Sequence, residues 1–237
     1  MLQIIKIGTQ CLYDEKGDID YELIRRKAHE IEAMKADSVL VVSGAITLGK
    51  KIEEERKENR YLKAVELQGY ASIGQRILMD IYSTAFTRPV AQILLTEEEL
   101  KHGTKIRELM HHNAKKRRIS AVNYNDCIDF MELRKDNDTL AAILLGYCNA
   151  ERLIILGKYD GFYRDGAIVE IAKSVNENDY RHCNGTSENG TGGFETKLEA
   201  AKIVLEHRKE MIIGNINHSI EDLVAGRVRR TLFKSLH

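Results

Sequence analysis

The stretch ISAVNYNDCIDFMELRKDNDTLAAILLGYCNAERLIILG, Ile119 to Gly157, decides the fold. Ile119 to Val122 is a short apolar run that reads as a buried strand, with Asn123 to Asp126 hanging off its end. Leu140, Ala141, Ile143 and Leu144 form a helical pattern directly after Asp136, Asn137 and Asp138, where acids can cap a helix start. Leu153 to Leu156 is the next strand, ended by Gly157. Strand, helix, strand in this order implies parallel pairing through a right-handed crossover. Asn123, Asn125, Asp126, Asp129, Asp136, Asn137 and Asp138 all fall between the two strands, and such a concentration of carboxylates and amides reads as the floor of an active site.

The same alternation extends towards the N-terminus. Leu2 to Ile7 reads as a buried strand leading through Gly8 into a tight turn, which puts Lys6 at the strand's carboxyl end. Open parallel sheets bind ligands at that edge, so Lys6 either meets a phosphate or simply snorkels into solvent. Tyr21, Ile24, Ala28, Ile31 and Met34 recur at helical spacing and predict an amphipathic helix from Tyr21 to Ala36, with Asp20 as N-cap. Ser38 to Val42 is then a strand running into Ser43, Gly44 and Ala45, small residues suited to close backbone approach. The mixed charges of Lys50 to Arg60 suit a solvated segment. Tyr61 to Phe86 is a long helical pattern whose Gly69 and Gly74 allow another backbone or a second subunit to pack closely. The chain's one proline, Pro89, precedes the strand VAQILLT, and Glu97 to Asn113 reads as a helix. Lys115 to Arg118 fits a solvated helix C-terminus, where cations oppose the helix dipole, and His102, His111 and His112 read as surface residues.

Downstream, DGFYRDGAIVEIA reads as a hairpin-like excursion with Asp165 and Gly166 at its turn. Asn184 to Gly193 is the most glycine-rich stretch and leads into a helix marked by Leu198, Ala201, Val204 and Leu205. Backbone amides of such a loop beside a helix N-terminus form an anion site, although a flexible linker has similar composition. Lys197 in the first turn opposes the dipole, which suggests an anion for it to neutralise. Strands near Met211 to Ile213 and Val228 to Phe233 close the chain. Strands alternating with helices imply an α/β fold with a mainly parallel sheet and helices on both faces, and 237 residues are expected to form a single domain, 1–237.

Equal numbers of basic and acidic residues, 36 of each, give no electrostatic argument for nucleic acid or a membrane surface, so the expected partner is a small molecule. Cys11, Cys127, Cys148 and Cys183 are widely spaced and read as free thiols in a reducing compartment. The apolar start lacks the basic region and cleavage site of a leader, and no run approaches the roughly 18 apolar residues of a membrane span, so a cytoplasmic location is expected. No Walker motif, GxGxxG after the first strand or protein-kinase signature is present, so phosphoryl transfer would need another scaffold.

In order, KIGT (Lys6 to Thr9), SGAI (Ser43 to Ile46), QGYASIGQ (Gln68 to Gln75), AQILLT (Ala91 to Thr96), NYND (Asn123 to Asp126), DNDTLAA (Asp136 to Ala142), YDGFY (Tyr159 to Tyr163) and GTGGFETKLEAA (Gly190 to Ala201) resemble the motifs of the amino acid kinase family, nearly end to end. The resemblance implies a three-layer αβα sandwich that binds ATP with Mg2+ and phosphorylates a carboxylate to an acyl phosphate. The implied acceptor is the side-chain carboxylate of L-glutamate, in the first step of proline biosynthesis, and the implied assembly is a homo-oligomer, a dimer or tetramer. By the same resemblance Lys6 and Lys197 are catalytic and Asp138 holds them; Ser43, Gly44, Asn123, Asp126, Asp136 and Asn137 bind the acceptor. Gly8, Gly157, Lys158, Tyr159, Asp160, Gly161, Tyr163, Thr191, Gly192, Gly193 and Lys197 bind the nucleotide, and no side chain is assigned to a metal. The sequence departs from the family pattern at Tyr124 within NEND, at Gln10 near the start, at Gly157 and Lys158 where LTDxDG has threonine and aspartate, and at IIGN near the C-terminus. A different small-molecule acceptor, or a non-catalytic nucleotide-binding or metabolite-binding protein on the same fold, are the rival readings. A carboxylate acceptor is ionised at neutral pH and needs no general base.

Overall fold

The computed structural model describes residues 1–53, 64–128, 136–183 and 193–235. Asp129, Thr191, Gly192, the charged run beyond residue 53 and most of the glycine-rich loop lie outside the described residues. The chain runs β1 (Leu2–Ile7), a 3-10 turn (Thr9–Leu12), α1 (Tyr21–Ala33), β2 (Asp37–Val41), α2 (Ala45–Ile52), α3 (Ala64–Ala85) and β3 (Val90–Leu95). It continues through α4 (Glu97–Leu100), α5 (Gly103–Lys115), β4 (Ile119–Tyr124), α6 (Asn137–Cys148) and β5 (Arg152–Gly157). Then come β6 (Tyr163–Arg164), β7 (Ala167–Ile168), β8 (Ile171–Ala172), α7 (Glu177–Tyr180), α8 (Phe194–Glu206), β9 (Glu210–Asn215), α9 (Ile220–Ala225) and β10 (Arg230–Lys234).

Eight strands form one sheet in the order β3-β4-β2-β1-β5-β9-β10-β8, while β6 and β7 pair separately. Its described pairings are parallel except β9 with β10, which run antiparallel. The apolar runs explain the burial: β1 is buried along its whole length, and its side chains alternate between two cores. Leu2 and Ile4 join a cluster with residues of α4, α5, α6 and α8, whereas Ile5 and Ile7 join one with residues of α1, α2, α3 and α9. Helices therefore cover both faces, giving the expected three-layer αβα sandwich.

The strand order places a topological switch at β1. From β1 the chain moves to β2 on one side and later returns to β5 on the other. Crossovers diverge at such a point and open a crevice at the carboxyl ends of the strands. Lys6 stands at that end of β1.

Several element boundaries differ from the sequence expectation. The first helix stops at Ala33, because Met34 is extended (φ −67°, ψ 143°), and Tyr21 is 54% exposed. Asp20 does cap it, accepting from the Leu23 amide at 2.9 Å. Glu97 to Asn113 splits into α4 and α5: Thr96 and Glu99 form a capping box for the first, and Gly103 opens the second against the Tyr147 ring. β4 extends to Tyr124, so Asn123 and Tyr124 pair with Leu94 and Leu95 in the sheet and do not hang beyond it. The last strand is Arg230–Lys234, shifted from the expected Val228 to Phe233. The Asp165-Gly166 turn forms as expected, both residues having positive φ (51° and 80°). Of the two glycines in α3, Gly74 is the one at a close crossing: a Cβ there would lie 1.8 Å from the Ala45 carbonyl oxygen of α2.

Candidate active site

Three chain segments bring charge together at the switch point. Lys6 comes from the end of β1, Asp138 from the first turn of α6 and Lys197 from the first turn of α8. Lys6 Nζ lies 2.6 Å from Asp138 Oδ1, and Lys197 Nζ lies 3.0 Å from Asp138 Oδ2. All three are buried, Asp138 at 2% exposure. Burial by itself raises the Asp138 pKa, but the charges and hydrogen bonds of the two lysines outweigh it and hold the carboxyl well below the usual range. Two ammonium groups on one carboxylate leave a surplus positive charge in a sparsely hydrated crevice, an arrangement suited to a developing anion. The Thr196 hydroxyl is 3.1 Å from Asp138 Oδ2 and 2.9 Å from the Gly193 carbonyl oxygen; its single proton serves one at a time.

On one side the segment after β5 folds over the start of α8. The rings of Tyr159 and Phe162 each lie 5.5 Å, centroid to centroid, from that of Phe194, and Lys197 Nζ is 5.3 Å from the centre of the Tyr159 ring. Gly157 makes this possible, since a Cβ there would sit 2.1 Å from the Tyr159 ring. The departure from threonine is thus coupled to an aromatic residue two positions later. Burial, and secondarily the charge of Asp138, raise the Tyr159 pKa well above its ordinary value, so the hydroxyl keeps its proton. Lys158 reaches away to donate to the Tyr13 carbonyl at 2.8 Å. Asp160 accepts from Asn215 Nδ2 at 3.0 Å, Gly161 packs against Thr231, and Tyr163 is 41% exposed in β6. Gly8 donates its amide to the Leu156 carbonyl at 3.2 Å, tying the turn after β1 to β5. Gly193 caps α8 without a side-chain hydrogen bond.

On the other side stand the amides and small residues. Ser43 Oγ accepts from Thr9 Oγ1 at 3.0 Å and lies 3.3 Å from the Ile7 carbonyl. Gly44 has φ 115°, and a Cβ there would meet Leu12 at 2.8 Å, so glycine is required twice over. Asn137 Nδ2 donates to Asn123 Oδ1 at 3.1 Å, and Asn123 Nδ2 donates to Gln75 Oε1 at 2.9 Å. Asp136 caps α6: one oxygen accepts from the amides of Asp138 and Thr139, the other from the Thr139 hydroxyl. Burial pushes the Asp126 carboxyl up to about 6. Tyr124 is 2% exposed and belongs to the apolar cluster containing Leu95, Leu100 and Ile106. Its departure from the family pattern is taken up by core packing on the opposite side of the strand from Asn123.

Against the amino acid kinase family as a whole, residues 1–215 match. The chain belongs to the amino acid kinase family. Among curated relatives of this amino acid kinase, a glutamate 5-kinase of Clostridium perfringens is 35% identical over 90% of this chain and 86% of its own length. Glutamate 5-kinases of Caldanaerobacter subterraneus subsp. tengcongensis (31% identical, 97% of this chain, 67% of its own) and Enterococcus faecalis (30%, 97% and 93%) are similar.

The folded amino acid kinase site includes three side chains to which the motifs had given no role. Thr9 and Thr196 bond directly to Ser43 and Asp138. Gln75 bonds to Asn123 from α3. Gln75 was detectable in principle, because it interrupts the buried face Ala71, Gln75, Leu78, Tyr82 of that helix with an amide.

Proposed function

We propose that this chain is an ATP-dependent glutamate 5-kinase, transferring the γ-phosphoryl group of ATP to the side-chain carboxylate of L-glutamate in proline biosynthesis. The observation that carries the reading is the buried Lys6–Asp138–Lys197 triad with its surplus positive charge. The acceptor carboxylate attacks the γ-phosphorus, ADP leaves with the bridging oxygen, and the product is an acyl phosphate. Lys6 and Lys197 neutralise charge on the transferring group from two sides, while Asp138 keeps them apart and aimed. The positive charge of these ammonium groups matters most where negative charge spreads in the transition state. Ser43, Gly44, Asn123, Asp126, Asp136 and Asn137 are the acceptor side; Gly8, Gly157, Lys158, Tyr159, Asp160, Gly161, Tyr163 and Gly193 are the nucleotide side.

ATP enters as its magnesium complex. Among the described residues no group of three or more His, Cys, Asp or Glu could hold a metal, and Asp138 is engaged by two lysines. Mg2+ bound chiefly by nucleotide phosphates and water fits this set, because that ion dehydrates reluctantly. Four free cysteines suit a reducing cytoplasm, and no helix among the described residues is long and apolar enough to cross a membrane. The proposal includes a single domain and a homo-oligomer; exposed Ile52, Val65 and Ile128 are candidate contact residues, checked by the mass in solution.

ADP release with L-glutamate, and trapping of the acyl phosphate by hydroxylamine as a hydroxamate, test the reaction. Turnover with another acid and none with L-glutamate replaces the acceptor. ATP binding without turnover on any acid removes the kinase reading.

A further inference from the structure

Gln75 occupies a core position of α3, 6% exposed, where an amide is costly unless both its ends are bonded. Among the described residues only its oxygen is, to Asn123. The hydrogen bonds run in one direction, from Asn137 through Asn123 to Gln75, so the ends of the relay differ in polarity. Gln75 Nε2, a donor, and Asn137 Oδ1, an acceptor, are both buried without a partner among the described residues. Native proteins seldom leave two such buried atoms in one network without some partner, and a polar ligand is one that can serve both. An α-amino acid carries the matching pair on one carbon: a carboxylate for the donor and an ammonium for the acceptor.

The relay adjoins both the Ser43-Gly44 turn and the Lys6–Asp138–Lys197 triad. Gly74, next in sequence to Gln75, packs against the Ala45 carbonyl just after the Ser43-Gly44 turn. Asn137 immediately precedes Asp138, which holds Lys6 and Lys197. We propose that Gln75 is a specificity-determining residue that reads the acceptor's α-carboxylate, while Asn137 at the far end of the relay takes the α-ammonium. This rests on the acceptor being an amino acid phosphorylated on its side chain, as proposed above.

The test compares two acceptors on the 237-residue chain: L-glutamate and its α-amide, which keeps the reacting carboxylate and the ammonium but carries a neutral group that can donate. In Gln75→Glu the bond accepted from Asn123 survives, and a carboxylate oxygen replaces the free donor. Loss of a charge-assisted bond predicts a KM for L-glutamate raised roughly 10- to 150-fold with little change in kcat. For the α-amide KM falls, because its NH2 can donate to the new carboxylate, so preference between the two acceptors inverts. Equal changes for both acceptors, no change for either, or a loss confined to kcat overturns the assignment. Should Gln75→Glu fail to fold, Gln75→Met is measured in its place, and the wild-type preference for L-glutamate over the α-amide must shrink for the assignment to stand. Absence of L-glutamate turnover in the wild type would instead refute the glutamate reading itself, before any variant is compared.

Discussion

Two buried lysine clusters lie on opposite faces of the sheet, and their charge counts differ. In α1, Lys27 is 1% exposed; its ammonium donates to both Glu30 carboxylate oxygens at 2.9 Å and to the His218 carbonyl at 2.6 Å. Glu30 Oε2 also accepts the Ile220 amide at 2.9 Å, so the cluster ties α1 to the start of α9. One cation meets one anion, and all three ammonium protons are used. At the end of β1 two cations meet one anion, leaving a positive surplus and donor protons to spare. A closed, balanced cluster fixes a helix. An unbalanced one at a sheet's switch point is suited to bind and stabilise an anion.

The largest effect expected from this contrast is on catalysis. Lys197→Ala should lower kcat by about 10³-fold or more, with a modest change in ATP affinity, since its charge acts mainly on the transition state. A loss confined to ATP affinity would undo the comparison. The opposite cluster should respond the other way. Lys27→Met leaves Glu30 partly buried without its cation and should cost roughly 2–4 kcal/mol of stability by denaturant titration, with kcat unchanged at a temperature where the variant is folded. Loss of turnover in that folded variant would remove the distinction between the two clusters.

The sequence revealed much of one cluster and little of the other, for a physical reason. Lys6 stood at the end of an apolar strand and Lys197 opposed its own helix dipole, so each was conspicuous locally. Lys27 occupies an ordinary helical position, and its burial depends on a carbonyl at residue 218 that no local pattern announces. The fold was legible because strand runs and helical periods alternate, and both survive packing. Boundaries were less so. Asn123 and Tyr124 are polar enough to look like a loop, yet β3 supplies a partner strand that carries β4 through them. Asp136 was assigned to the acceptor, and its two oxygens are occupied as a helix cap, a use equally predicted by its position. The antiparallel turn of β10 depends on which edge remains open after β9, a property of the whole sheet.

Gly157 and Tyr159 sharpen how the unbalanced cluster is supported. Gly157→Thr puts a branched side chain where the Tyr159 ring lies, and overpacking of this kind costs about 1–3 kcal/mol. The ring must move off Lys197, so both stability and kcat should fall. Tyr159→Ala in the same chain should recover stability beyond the sum of the single changes, because the two side chains compete for one space. Additive effects would show that the ring and the glycine are independent.

The smallest expected effect concerns two acids that titrate in opposite directions. Asp138 is held below the usual carboxylate range by its lysines, so its contribution to stability is present above the unfolded value of 3.8 and is lost as pH falls through the lower folded value. Asp126 is raised by burial from 3.8 to about 6, so the folded chain binds the proton more tightly than the unfolded chain does. Its ionisation therefore reduces the stability of the free protein as pH rises through that window, and Asp126→Asn should flatten this part of the profile. Acceptor binding should show the reverse slope. An ammonium needs the ionised carboxylate, so glutamate affinity should weaken by up to about tenfold per pH unit below 6, until the lower pKa of the complex is reached. Calorimetric titration of L-glutamate between pH 5 and about 7.5 reads that slope directly. If affinity is flat across the window in the wild type, Asp126 does not face the ammonium, and Asn137 and its relay must hold that group without a charge beside it.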